Sequence, residues 1–146
     1  MNAIYLKTIQ NRVIKLLRNG NKVLYLSAQD NCSEVARIVG CWILQENPII
    51  SAHILKGENV MGIKKKYHDV LIVEEKNIFY VIDPTVWQFF KHKRNILLTK
   101  KNTMKECVEF AKQFYDGKWS VSDILSKNCF QEIKKWEEVV RLNIYL

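Results

Sequence analysis

Apolar residues recur along this chain with two different periods, and the switch between them divides it into elements. Ile9, Val13, Leu16 and Leu17 return at helical spacing, and the pattern stops at Gly20. This predicts a first helix from about Ala3 to Arg18. Lys22 to Ala28 is a short apolar stretch, read as a strand or an extended connector. Val35, Ile38, Val39, Trp42 and Ile43 mark a second amphipathic helix. It closes at Asn47-Pro48, because a residue before proline disfavours the helical conformation. Ile49 to Leu55 then reads as a strand, with a loop around Gly57 to Gly62.

The clearest β signal comes next. Tyr67 to Glu74 and Asn77 to Asp83 are β-branched and aromatic runs separated by Glu75-Lys76, which predicts a hairpin. His68, Val70 and Ile72 alternate with Leu71 and Val73, so both faces are apolar and the hairpin is expected to be covered on both sides. Asn95 to Leu98 suggests a further strand. The last third reads as helical: Met104, Cys107, Phe110, Ala111 and Phe114 share one face up to Gly117, and Phe130, Ile133, Trp136 and Val140 follow on another. The expectation is an α+β fold, one domain over residues 1–146, with helices on an antiparallel sheet and a helical C-terminal third.

Composition narrows the class. An apolar fraction of 48% with 11% aromatics excludes a disordered chain. No apolar run approaches the roughly 20 residues of a membrane span. Asn2, Lys7, Gln10 and Asn11 interrupt the N-terminal segment, so no signal peptide is predicted, and the expected location is the cytoplasm, reached in one reading by delivery into a target cell. Cys32, Cys41, Cys107 and Cys129 form no C-x-x-C pair and have no histidine at ligand spacing, so no metal is predicted and reduced thiols are expected. No phosphate-binding glycine loop occurs, and no cofactor is predicted. The net charge of +8, clustered at Lys64-Lys65-Lys66, Lys91 to Arg94 and Lys100-Lys101, favours an acidic partner: an acidic immunity or inhibitor protein, or RNA. A merely solvated basic surface is the plain alternative.

Three residues carry candidate chemistry. Asn31 is a good helix N-cap, and Glu34 three residues later completes a capping-box pattern, which places Cys32 in the first turn of the second helix. There the macrodipole favours ionisation of a thiol, and the unpaired N–H groups suit an oxyanion. If the hairpin closes symmetrically over Glu75-Lys76, His68 lies directly opposite Asp83, within reach of a hydrogen bond that leaves the second ring nitrogen free. A one-residue slip would separate them. The pair is expected on a rim of the sheet, where replacing Asp83 costs little stability.

A cysteine at a helix start, a histidine opening one strand and an aspartate closing the next resemble the papain-like and transglutaminase-like superfamily, including glutamine deamidase effectors and papain-fold toxins. Val81-Ile82-Asp83-Pro84-Thr85 is similar to the D-P-T that closes the triad in many transglutaminase-like domains. The resemblance covers roughly Gln29 to Phe89. It implies a Cys32–His68–Asp83 triad acting through a thioester on a protein substrate, with Trp87 as a shielding aromatic and Gln29 and Ser33 as oxyanion or cleft candidates. Papain-like peptidases carry a glutamine where Leu26 and Ser27 stand here and follow the cysteine with a tryptophan, which this chain lacks. Both departures favour the deamidase and transferase branch over a peptidase, and the leading expectation is deamidation or transamidation of protein glutamine side chains in a toxin or effector setting. His53 and His92 are spare histidines. Trp119, like Trp87, is read as a turn residue able to line a cleft. The competing class is a basic RNA-binding or RNase toxin domain, supported by the charge and by Tyr67, Trp87, Phe89 and Phe90 near the basic runs.

Overall fold

The computed structural model of the protein describes residues 1–18 and 23–145. The expected stop at Gly20 and the start of the Lys22–Ala28 stretch lie outside the described residues. The elements run α1 (Ala3–Leu17), α2 (Leu24–Ser27), α3 (Cys32–Glu46), β1 (Ser51–Glu58), β2 (Tyr67–Glu75), β3 (Ile78–Ile82), β4 (Leu97–Lys101), α4 (Met104–Tyr115), β5 (Lys118–Ile124) and α5 (Ile133–Tyr145), with short 3₁₀ turns at Val60–Gly62, Val86–Gln88 and Cys129–Glu132. The fold is α+β. One antiparallel sheet carries the strands in the order β4-β3-β2-β1-β5.

Both sheet faces are covered, as the alternation along β2 predicts. Leu71 and Val73 pack with Ile54, Ile82 and the apolar sides of α1, α3 and α5. Val70 and Ile72 pack with Leu55, Val81 and the α4 residues Cys107, Ala111 and Tyr115. The middle of α3 is buried nearly all round, from Val35 to Leu44 with Arg37 excepted, so this helix is the centre of its layer.

Three expectations are corrected. Leu24–Ser27 is a helical turn, not a strand: Ser27 and Ala28 donate their N–H groups to Val23 and Leu24, which a strand would aim at a neighbour. The C-terminal third is not wholly helical, because β5 stands between α4 and α5 and pairs with β1. Only Trp119 of β5 is buried, so this edge strand lacks the apolar run that marks a strand in sequence. The thiols are not all reduced: Cys41 in α3 and Cys129 before α5 form a disulfide, while Cys32 and Cys107 are free. The two partners are 88 residues apart, and no local spacing announces them. Closing so long a loop restricts the unfolded chain, so Cys41→Ser should lower stability by about 4 kcal/mol. Denaturant melts of the variant and wild type, with and without reductant, measure this. A loss under about 1 kcal/mol would show that native packing alone holds the two segments together.

The hairpin closes one residue later than expected. Its turn is Lys76-Asn77, with φ of 50° and 63°. Positive φ at both central residues is the two-residue turn whose twist matches the strands, and asparagine tolerates it. The register therefore pairs Glu75 with Ile78 and Leu71 with Ile82, two residues from the predicted pairing.

Candidate active site

His68 and Asp83 are not directly opposed. In the observed register the residue facing His68 would lie two beyond Asp83, just past the end of β3. A two-residue shift preserves the face of the sheet, so the pair meets on the diagonal. His68 Nε2 lies 2.7 Å from Asp83 Oδ2, and both side chains are fully buried. The expected rim position is thus corrected: the pair lies inside, at the end of the sheet but beneath aromatic side chains.

Asp83 holds a turn and the histidine at once. Its Oδ1 accepts from the Thr85 N–H at 3.0 Å and from the Thr85 hydroxyl at 3.3 Å, which holds the Asp-Pro-Thr turn. Its Oδ2 accepts from His68 and from the Tyr115 hydroxyl. Every bond reaches this carboxylate from a donor, so a buried negative charge is satisfied from four directions. The Asp83 N–H donates to the Ile96 carbonyl at 2.8 Å and ties the turn to the chain entering β4.

Cys32 is the first residue of α3 and is half-buried. The capping box is corrected: Asn31 occupies the cap position, but its side chain makes no capping bond to the helix. It donates instead to the Ser27 carbonyl at 2.7 Å and accepts from Asn143 of α5 at 3.0 Å. Asn143 also donates to the Asp30 carbonyl, so α5 braces the turn that delivers Cys32. The first-turn N–H groups of α3 are left without a side-chain cap, available to an anion.

The structure brings Cys32, His68 and Asp83 together. Nδ1 of His68, the nitrogen not held by Asp83, is buried and makes no well-formed hydrogen bond. The Cys32 thiol approaches the ring closely enough to act on its charge. Burial depresses the imidazole pKa, but the charge and hydrogen bond of Asp83, then Cys32, outweigh it and push His68 up to about 10. The same surroundings, burial first and then Asp83, hold the Tyr115 phenol well above its ordinary value, so it stays a neutral donor.

Arg37 fastens the two halves of the site. Its Nη1 reaches Asp69 Oδ2 at 3.0 Å and Ser33 Oγ at 2.7 Å, and its Nη2 reaches Asp123 at 2.6 Å. Asp69 follows His68 in β2, and Ser33 follows Cys32 in α3, so one guanidinium clamps the helix start to the histidine strand.

The remaining predicted residues fall elsewhere. Gln29 spends both amide N–H groups on the carbonyls of Tyr25 and Gln88, each at 3.2 Å, so neither is free for an oxyanion. Ser33 is engaged by Arg37. Trp87 is buried in the α1/α3 layer and donates to the Lys93 carbonyl at 2.9 Å. The aromatic against the histidine is Phe89, edge-on with ring centroids 4.9 Å apart. Trp119 lies edge-on to the same ring at 6.3 Å. Gly57 pairs with both His68 and Trp119, and a β-carbon on it would meet the indole at 2.5 Å. The absence of a side chain there lets the indole lie across β1 toward the histidine. His53 sits near Glu74, at 3.8 Å, and His92 is exposed.

Sequence reasoning missed Tyr115 and Arg37, and offered Phe89 only as an aromatic for an RNA-binding surface, not as the ring against His68. The four-residue spacing Cys107, Ala111, Tyr115 marks Tyr115 as buried, but nothing local points its hydroxyl at Asp83. Among the described residues no group of three His, Cys, Asp or Glu side chains can hold a metal ion, and no helix is long and apolar enough to cross a membrane. No family model matches this chain, nor does any curated protein or solved structure show significant similarity to it.

Proposed function

We propose that the protein is a cysteine-dependent amidohydrolase or acyl transferase that acts on glutamine side chains of proteins. One observation carries the reading: a buried histidine, held through Nε2 by an aspartate and with Nδ1 unpartnered, has a free cysteine at a helix start close to its ring. In the proposed reaction the Cys32 sulfur attacks the carboxamide carbon, and the uncapped N–H groups of α3 receive the developing oxyanion. The Nδ1 proton of His68 passes to the leaving nitrogen, the C–N bond breaks, and ammonia departs to leave a thioester. Water then adds to the thioester, His68 takes its proton, and the products are a glutamate side chain and the restored thiol. A primary amine in place of water gives an isopeptide bond and makes the same site a transglutaminase.

Asp83 keeps the ring oriented and supports its positive charge through the cycle. The Cys41–Cys129 disulfide is of the kind that persists outside a reducing cytosol. That supports an enzyme released from its producer, in the manner of a toxin or effector. The test is ammonia release from glutamine-containing peptides, with and without a primary amine, alongside mass analysis of products. Conversion to glutamate or to the amide of the amine is expected. Backbone cleavage instead would reassign the site to a peptidase, and no reaction on any peptide or protein amide would remove the reading.

A further inference from the structure

Two of the three basic clusters in the sequence, Lys64 to Lys66 and Lys91 to Arg94, reach side chains that border the site, while Lys100 and Lys101 lie on β4 against Tyr80 and Phe110. The chain from Asn59 to Lys66 bulges between β1 and β2, directly before His68. Three of its non-glycine residues, Asn59, Met61 and Lys65, have φ between 56° and 63°. Left-handed conformations of this sort are disfavoured for residues with a β-carbon and persist only where surrounding structure enforces them. Here the loop enforces them itself. Val60 N–H donates to the Lys66 carbonyl at 3.1 Å, Ile63 N–H to Val60 at 3.0 Å, and Lys65 N–H to the Asn59 side chain at 2.8 Å. The result is an internally hydrogen-bonded platform that holds Lys64 and Lys65 in solvent.

Lys66 links this platform to the site. Its ammonium lies 5.7 Å from the Phe89 ring, which rests against His68. Past Phe89 the chain runs through Lys91, Lys93 and Arg94. Lys91 lies over Tyr25 of α2, at 4.5 Å, just upstream of the turn that delivers Cys32. Lys93 lies 5.6 Å from Phe114, which packs on Tyr115. Among the described residues none of these six cations takes part in an ion pair. The acidic groups bordering Cys32 in sequence are Asp30 and Glu34, so negative charge on a bound chain is drawn away from the nucleophile's own turn toward the lysines. Exposed Met61, Ile63 and Tyr67 add apolar surface among the charges.

Resting on the catalytic reading above, we infer that the arc of Lys64, Lys65, Lys66, Lys91, Lys93 and Arg94 binds an acidic protein segment and presents a neighbouring carboxamide to Cys32. The mixture of apolar side chains with lysines favours a polypeptide with interspersed carboxylates over a bare phosphate chain. The test uses a labelled peptide with one glutamine flanked by aspartate and glutamate, its lysine-flanked counterpart and a single-stranded RNA of equal charge. Binding to Cys32→Ala protein is read by fluorescence anisotropy at two salt concentrations, and turnover by wild-type protein is read as ammonia release.

The acidic peptide should bind at least about tenfold more tightly than its counterpart, and salt should weaken it. The combined variant Lys64→Glu, Lys65→Glu, Lys91→Glu should lose about tenfold or more in affinity. Lys134→Glu with Lys135→Glu, on exposed α5 positions, should bind as wild type does. Equal binding of the two peptides, indifference to the arc reversal, or RNA displacing the peptide at lower concentration would each overturn the inference. If the acidic peptide binds on the arc and no amide reacts, the catalytic reading fails and the docking surface stands. If glutamine reacts regardless of its flanking charge, the reverse holds.

Discussion

Cys32→Ala should lower thiol-dependent activity by roughly 10⁴-fold or more and remove the one readily alkylated cysteine. The four cysteines divide cleanly by environment. Cys41 and Cys129 are joined. Cys107 is buried on α4, and burial, with Glu106 nearby, pushes its thiol up to about 11. A thiol of that kind is neutral and inaccessible at ordinary pH, and the thiolate is the reactive form. Cys32 alone is both free and half-exposed, close to the His68 ring. Iodoacetamide under non-reducing conditions should therefore label one site per chain, located by peptide mapping. Cys107→Ala should retain activity, its cost limited to packing. The Cys41 and Cys129 variants should lose stability but keep the labelled site. Complete inactivation by Cys107→Ala in a folded protein, or labelling that maps mainly away from Cys32, would remove Cys32 as the nucleophile.

Asp83→Asn is expected to be nearly as severe, by about 10³–10⁴-fold in activity, and it tests the geometry as well as the chemistry. The carboxylate receives His68, Tyr115 and both Thr85 donors. An amide at this position can accept through its oxygen, but its nitrogen must face a donor. Because the site is fully buried, the variant should also lose about 3 kcal/mol at neutral pH, the scale expected when one partner of a buried pair is removed. The pH dependence follows from His68. Its pKa of about 10 in the folded protein lies above the free value of about 6.5, so the folded state holds the proton more tightly. The pair's contribution to stability is complete below about 6.5 and is lost as pH rises through about 10. The stability gap between wild type and Asp83→Asn, read from urea melts, should therefore be widest near pH 6 and shrink at alkaline pH. The alkaline fall of wild-type activity should move downward in the variant, since only Cys32 then opposes the effect of burial on the imidazole. A loss of only about tenfold would match the asparagine that papain-like enzymes carry at this position. Unchanged activity in both Asp83→Asn and Asp83→Ala, or an alkaline limb that does not move, would sink the assignment.

Much of this site was legible because the period of a strand is forgiving of one kind of error. Sequence placed the hairpin turn at Glu75-Lys76, whereas the chain turns at Lys76-Asn77. The pairing shifted by two residues, and a shift of two returns every side chain to its own face. His68 and Asp83 stayed together although their contact became diagonal. The placement of Cys32 at a helix start survived for a similar reason. The apolar period from Val35 to Ile43 defines the helix, and the polar residues before it mark its beginning, even though Asn31 turned its side chain away from the cap.

What local pattern determined, then, is which residues are buried together on one face and where α1 and α3 begin. The tertiary structure alone decided what surrounds Cys32, His68 and Asp83. Tyr115 comes from α4, Phe89 from the chain beyond the aspartate turn and Trp119 from β5, and each is selected by packing across the sheet rather than by any neighbour in sequence. β5 itself was invisible because an edge strand with one buried side chain has no apolar run to betray it. The Cys41–Cys129 bond joins positions 88 residues apart, and only the docking of the segment before α5 against α3 makes them neighbours. Periodicity records burial, which each residue carries in its own chemistry; partnership is a property of two surfaces, and it exists only once the chain has brought them into contact.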